Sequence, residues 1–302
     1  MPHLELEKKK DVSAFRKIAI GTWRTAYDPS VYGTLELPMD KAVDYLQRFR
    51  AATGQRLTVS HMMAKAVAAA LERMPDANAI LRFHRIYLRK NINVFFQVVM
   101  TDLGEDKVDL SGAMIEDCDK KDLMGILTEF QEKVERVRSR KDPQLEKTRN
   151  SFNIVPFWMM HRVMRTISWL MYTLNLSVPG LPKDPFGSIM ITNIGSLGLD
   201  TGFVPLVPYS RVPILLAMGA IKDVVVVEDG EMVVRKRMNV NATFDHRFID
   251  GFHAAIMSKT LRTWFAEPDE HFGPIPGVAA LEAPAETPTA SADGAPVPAE
   301  AS

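Results

Sequence analysis

The chain has 302 residues, 46% hydrophobic and 25% charged, with 37 basic and 37 acidic side chains in balance. This is a globular composition, long enough for one large domain or two small ones, and zero net charge argues against a basic field for nucleic acid. One cysteine, Cys118, excludes an intrachain disulfide framework and a multi-cysteine zinc site and fits a reducing, cytoplasmic setting, while Met1 to Lys10 lack the apolar core of a signal peptide.

Taken in chain order, Asp40 is placed to cap a short helix through Val43, Leu46 and Phe49. Ser60 is placed to cap a second, with Met63, Val67, Leu71 and Met74 on one face. From about Tyr87 the chain runs into a strand over Asn91–Val99, and Asp119 is placed to cap a third helix bearing Leu123, Ile126, Leu127, Phe130, Val134 and Val137. Ser188–Thr192 is short and β-rich, and Ile214–Ile221 has the pattern of a buried strand. Val224–Val227 and Met232–Arg237 flank Asp229-Gly230, a hairpin signal. A last helix spans about Gly251–Phe265. Strands interspersed with helices predict one mixed α/β (α+β) domain with a large sheet over 1–272. The Ala/Pro-rich stretch 273–302 is expected to be a disordered tail, because it is too poor in large apolar groups to offset its ordering entropy.

The string DHRFIDG, Asp245 to Gly251, joins an alternating strand pattern, Met238–Phe244, to the last helix. A histidine at a strand end, held by nearby polar groups, is a common way to position a general base. A lone His-x-x-x-Asp spacing is weak, and its ordinary alternative is a histidine that satisfies a helix N-terminus.

The full string resembles the D-H-R-x-x-D-G signature of the dihydrolipoamide acyltransferases, core subunits of 2-oxo-acid dehydrogenase complexes, and FIDGFH resembles chloramphenicol acetyltransferase. Phe15-Arg16-Lys17, Tyr32–Leu37, Leu57–Asn78, Gly187–Gly198 (GSIMITNIGSLG) and Pro213–Ala220 resemble further family segments in the family's order. The resemblance implies a chloramphenicol acetyltransferase-like, CoA-dependent acyltransferase fold. It further implies coenzyme A as substrate, a lipoyl group or other thiol as acceptor, and a homotrimer or larger assembly with sites between subunits.

Acyl transfer between thiols needs a base, since a free thiol is mostly protonated near neutral pH. His246 is the candidate, and Thr192 aligns with the family's oxyanion-binding serine. The substitution keeps the hydroxyl and adds a methyl that restricts its rotamer; alone, Thr192 reads as a plain strand residue. Asp250 has two readings: a partner of the imidazole, or, as the resemblance favours, an ion-pair partner of Arg16 that shapes the site. Arg247 is a signature residue of undefined role, and Thr243 suits packing or backbone anchoring. His61, His84, His161 and His253 have no ligand-spaced partner, so no metal site is expected. Cys118 lies among acids that raise its pKa, which favours direct transfer over an acyl-enzyme.

Three departures from the family stand out. No lipoyl or subunit-binding domain precedes the catalytic region, which implies a separate lipoyl-carrying protein, another acceptor, or a lost complex role. Glu105–Glu116 lacks the family's proline and arginine. The stretch 145–186 reads as an insertion, with a methionine- and aromatic-rich core at 154–176. It is a helix buried on its own domain, a subunit contact or a membrane-surface contact, in that order. Transfer to a small hydroxyl or amine, and a non-catalytic trimeric scaffold, are the rival functions.

Overall fold

The computed structural model describes residues 3–10, 29–100, 109–138 and 156–277. Arg16, part of the 145–186 stretch and the tail from 278 onward lie outside the described residues. The elements are β1 (Leu6–Lys8), β2 (Ser30–Pro38), α1 (Asp40–Thr53), α2 (Val59–Arg73), β3 (Ala79–Arg82), β4 (Arg85–Arg89), β5 (Val94–Met100) and β6 (Asp109–Ile115). They continue as α3 (Leu123–Arg138), α4 (Phe157–Ser168), β7 (Ile189–Asn193), β8 (Ile214–Glu228), β9 (Glu231–Asp245), α5 (Gly251–Ala266) and α6 (Pro268–His271).

Six strands form one sheet in the order β2-β9-β8-β7-β5-β6. β7 runs parallel to both β5 and β8, and the other pairs are antiparallel. Alternation gives this sheet two faces. Ile189, Ile191, Leu216, Val240 and Phe244 point toward α1, α2, α3 and α5, where they share one core with Phe49, Met63, Leu71, Ile126, Leu261 and Phe265. Each such side chain contributes about 1.5–3 kcal/mol on burial. Met190 and Leu215 on the other face pack with Val204, Leu206 and Val207 of the loop before β8.

Three helix starts differ from expectation. Asp40 is the first helical residue, and its Oδ1 accepts from the Lys236 amide at 3.1 Å across to β9. Thr58, not Ser60, caps α2 in a capping box with His61. Asp122, not Asp119, stands before α3 and accepts from the Gly125 amide at 2.7 Å. For α2 and α3 a second polar residue lies within three positions of the expected cap. Tyr87 belongs to a separate hairpin: β1, β4 and β3 form a small sheet that the sequence reading missed. His84 sits in its turn with a positive φ of 61°. The Asp229-Gly230 hairpin forms with φ of 51° and 86°, joining two 15-residue strands. Ordered chain continues past 272: Ile275 is buried in the main core, and Tyr45 Oη donates to the Gly273 carbonyl at 3.0 Å.

The methionine- and aromatic-rich segment splits into two parts. In α4, Met159, Met160, Val163, Met164 and Ile167 are only half-buried. Burial on the domain begins at Ser168, and Met171 and Tyr172 of the following π turn pack with Leu4 and Ile80. A buried Arg89–Asp184 ion pair closes this region, and the His3 Nε2 accepts from the Asp184 amide at 2.9 Å. Among the described residues no helix is long and apolar enough to cross a membrane.

Candidate active site

The turn after β9 is fixed by backbone bonds on both sides. Asp245 N–H donates to the Pro213 carbonyl and His246 N–H to that of Pro29, each at 2.9 Å. Ile249 N–H returns to the Asp245 carbonyl at 3.0 Å. Phe248 and Ile249 are buried in the core, while His246 stays half-buried. The apolar pair anchors the turn and leaves the imidazole at its rim.

His246 Nδ1 lies 2.7 Å from the Ile249 carbonyl oxygen. A carbonyl only accepts, so Nδ1 carries the proton and Nε2 has the basic lone pair. A backbone carbonyl thus holds Nδ1 of the ring.

Asp250 caps α5. Its Oδ1 accepts from the amides of Phe252 at 3.1 Å and His253 at 3.3 Å, and meets His253 Nδ1 at 2.7 Å. His253 completes a capping box, a role missed in the sequence although the Asp-x-x-His spacing carried the signal. Asp245, buried at 5% exposure, holds Arg247 in a fork: Nε to Oδ1 at 2.9 Å and Nη2 to Oδ2 at 2.5 Å. Arg247 therefore folds back under the turn. Thr243 is fully buried, and its Oγ1 donates to the Val204 carbonyl at 2.8 Å, tying the loop before β8 to β9.

Thr192 does not join this group within one chain. It pairs with Ala217, and Ala217 with Asn241. The four residues from Asn241 to Asp245 separate the two ends by about 13 Å along the strands. Beyond Thr192 the chain turns at Gly195, where a Cβ would lie 2.4 Å from the Gly219 carbonyl oxygen. Glycine is required there, and the close approach fixes where β7 ends.

Cys118 is buried, and its thiol is pushed up to about 12, chiefly by burial. The charges of Glu129 and of the adjacent Asp119 are smaller causes, and a backbone hydrogen bond and Lys121 oppose them. Among the described residues, Glu267, Glu270 and His271 form the one group with ligand atoms close together; it lies at the surface of α6.

A fold with a strand-end histidine and a mixed six-stranded sheet backed by helices is that of dihydrolipoamide acetyltransferase cores. The Azotobacter vinelandii dihydrolipoamide acetyltransferase structure superposes with a TM-score of 0.60 at 22% identity, over 87% of this chain and 93% of that one. The chain belongs to the 2-oxoacid dehydrogenases acyltransferase (catalytic domain) family, whose model matches residues 6–157 and 185–272. The unmatched residues between, 158–184, fall within the stretch read as an insertion.

The lipoamide acyltransferase component of the Bacillus subtilis branched-chain alpha-keto acid dehydrogenase complex is 24% identical over 253 residues, covering 81% of this chain and 49% of that protein. The Pseudomonas putida counterpart is 37% identical over 83 residues, covering 27% of this chain and 19% of the other. The chain spans about half the length, or less, of these relatives.

Proposed function

We propose that this protein is an acyltransferase that moves an acyl group between coenzyme A and a thiol such as dihydrolipoamide. The observation that carries the reading is the His246 Nδ1 contact with the Ile249 carbonyl, which leaves Nε2 as the base. Family membership supplies the reaction class.

Nε2 takes the proton of the attacking thiol. The thiolate sulfur forms a bond to the thioester carbon, and the carbonyl π pair moves onto oxygen. The Thr192 hydroxyl of a neighbouring copy donates to that oxyanion. The intermediate collapses, the old carbon–sulfur bond breaks, and the departing thiolate recovers the proton from the imidazolium. Base assistance is worth about 100- to 10,000-fold, and one oxyanion donor about 3–4 kcal/mol. Cys118 is buried and protonated, which suits direct transfer without an acyl-enzyme.

The offset of about 13 Å along the strands between Thr192 and the His246 turn supports a site shared between copies, hence a homotrimer or larger assembly. Arg16 is assigned as the ion-pair partner of Asp250. A lipoyl group would arrive on a separate protein, in the cytoplasm. The test is thiol release from acetyl-, succinyl- and branched-chain acyl-CoA with dihydrolipoamide, comparing wild type with His246→Ala. Acceptor-dependent turnover lost in the variant is expected; equal turnover in both would remove His246 as the base.

A further inference from the structure

Arg211 is the least accounted-for charge near the catalytic turn. It precedes Val212 and Pro213, and Pro213 receives the Asp245 amide. The side chain is half-buried, and its one hydrogen bond among the described residues runs from Nε to Ser168 Oγ at 3.3 Å. Burial draws its pKa below the ordinary arginine value, and the charges of Arg247 and Arg165 add to this, while Tyr172 and Asp245 oppose it. Asp245 is the only carboxylate among these neighbours, and Arg247 already occupies both its oxygens. Arg211 thus makes no hydrogen bond or ion pair to a carboxylate among the described residues. A desolvated charge without a paired counter-charge is costly unless something else supplies it. Arg211 also holds a positive φ of 56°, a conformation that costs a non-glycine residue energy and that clusters at functional sites.

The three arginines remain accessible to solvent. Arg211 and Arg247 are half-buried, and Arg165, on α4, is exposed. Ser168 and Arg165 both belong to the stretch 158–184 that the family model does not match. The insertion therefore brings a hydroxyl and a third cation to the back of the turn that carries His246.

We propose that Arg211, with Arg247 and Arg165 beside it, forms an anion subsite at the catalytic turn for an oxyanionic group of the substrate. The group is a carboxylate on the acyl chain or a phosphate of coenzyme A. Its assignment to a substrate rests on the acyltransferase reading; the binding of an anion does not.

The experiment has two arms. In the first, thermal melting of the intact protein is followed with increasing inorganic phosphate, for wild type, Arg211→Gln and Arg211→Lys. Phosphate stabilises proteins in general by exclusion, so the difference between variants is what counts. Wild type is expected to gain more than Arg211→Gln, and Arg211→Lys to retain part of the gain. In phosphate-free buffer Arg211→Gln is expected to melt no lower than wild type, because it removes a half-buried charge that no carboxylate pairs. Equal phosphate responses, or a large loss of stability in phosphate-free buffer, would overturn the subsite.

The second arm compares KM values. A charge-assisted contact predicts a rise of about 10- to 100-fold in Arg211→Gln. A rise for succinyl-CoA but not acetyl-CoA identifies an acyl carboxylate. A rise for both that vanishes with dephospho-CoA identifies the 3′-phosphate, and a rise for all three identifies the pyrophosphate. Unchanged KM for all three overturns a substrate role. Arg211-dependent phosphate binding by a protein inactive with every acyl-CoA sinks the proposed activity and leaves the anion subsite standing.

Discussion

The two ends of the sheet that carry the candidate groups are built differently. At the His246 end, two interstrand amides, the Arg247–Asp245 fork, the Asp250 cap and the buried Phe248 and Ile249 all converge on one turn. At the Thr192 end, a five-residue strand stops against a glycine, and Ser196 bonds back to Asn193. The first end fixes an imidazole and its tautomer. The second fixes only where a backbone ends and leaves one hydroxyl at the sheet margin. In the proposed mechanism the base takes and returns a proton and needs an oriented ring, whereas the oxyanion donor needs only its position.

The largest expected effect comes from breaking the first end. His246→Ala should lower kcat by about 100- to 10,000-fold with little change in melting temperature, measured by thiol release. Thr192→Ala should cost about 100- to 1,000-fold, and Thr192→Ser should restore most of it. A sharper measurement mixes the two inactive variants. Unfolded and refolded together at equal amounts, they should regain activity at about a quarter of sites, since those sites draw an intact residue from each copy. A mixture no more active than its parts would return both groups to one chain, against the strand register.

Much of the His246 end was legible in the sequence, because strand, turn and helix cap are written within seven consecutive residues. What stayed hidden was the partner of each side chain. Asp250 reads as a partner of the imidazole or of Arg16, and neither reading contains the cap it makes on α5, which only the backbone amides of Phe252 and His253 reveal. The Thr192 end was far less legible. One threonine in a β-rich run carries no signal, and its separation from His246 follows from a register that pairs residues 192, 217 and 241. The small β1-β4-β3 sheet was missed because β1 is three residues long with two charges, and the Arg89–Asp184 pair joins residues 95 apart.

A smaller effect separates acid inactivation from acid unfolding. His61 is 2% exposed, and burial lowers its pKa from 6.5 to about 4. The unfolded chain binds the proton more readily between these values, so stability is complete above about pH 6.5 and falls as the pH drops toward 4. The loss approaches about 3 kcal/mol from this residue. His61→Gln keeps a capping side chain at the third position of α2 and removes the titration. Its unfolding free energy should vary less steeply over that window than that of wild type, measured by denaturant titration at several pH values. If the acid limb of activity stays put while the stability profile flattens, that limb reports the site; if both move together, it reports unfolding.

The smallest effect tests what Asp250 is for. Asparagine and aspartate are about equally good helix caps, whereas alanine loses about 1 kcal/mol. Asp250→Asn should therefore melt close to wild type and Asp250→Ala lower. The charge is a separate matter. An ion pair with Arg16 would make Asp250→Asn lose roughly five- to tenfold in kcat, the kinetic equivalent of about 1 kcal/mol, despite its intact cap. Full activity in Asp250→Asn would reduce Asp250 to the cap of α5. The rigidity of the histidine end would then come from the backbone bonds, the Arg247–Asp245 fork and the buried Phe248 and Ile249 alone.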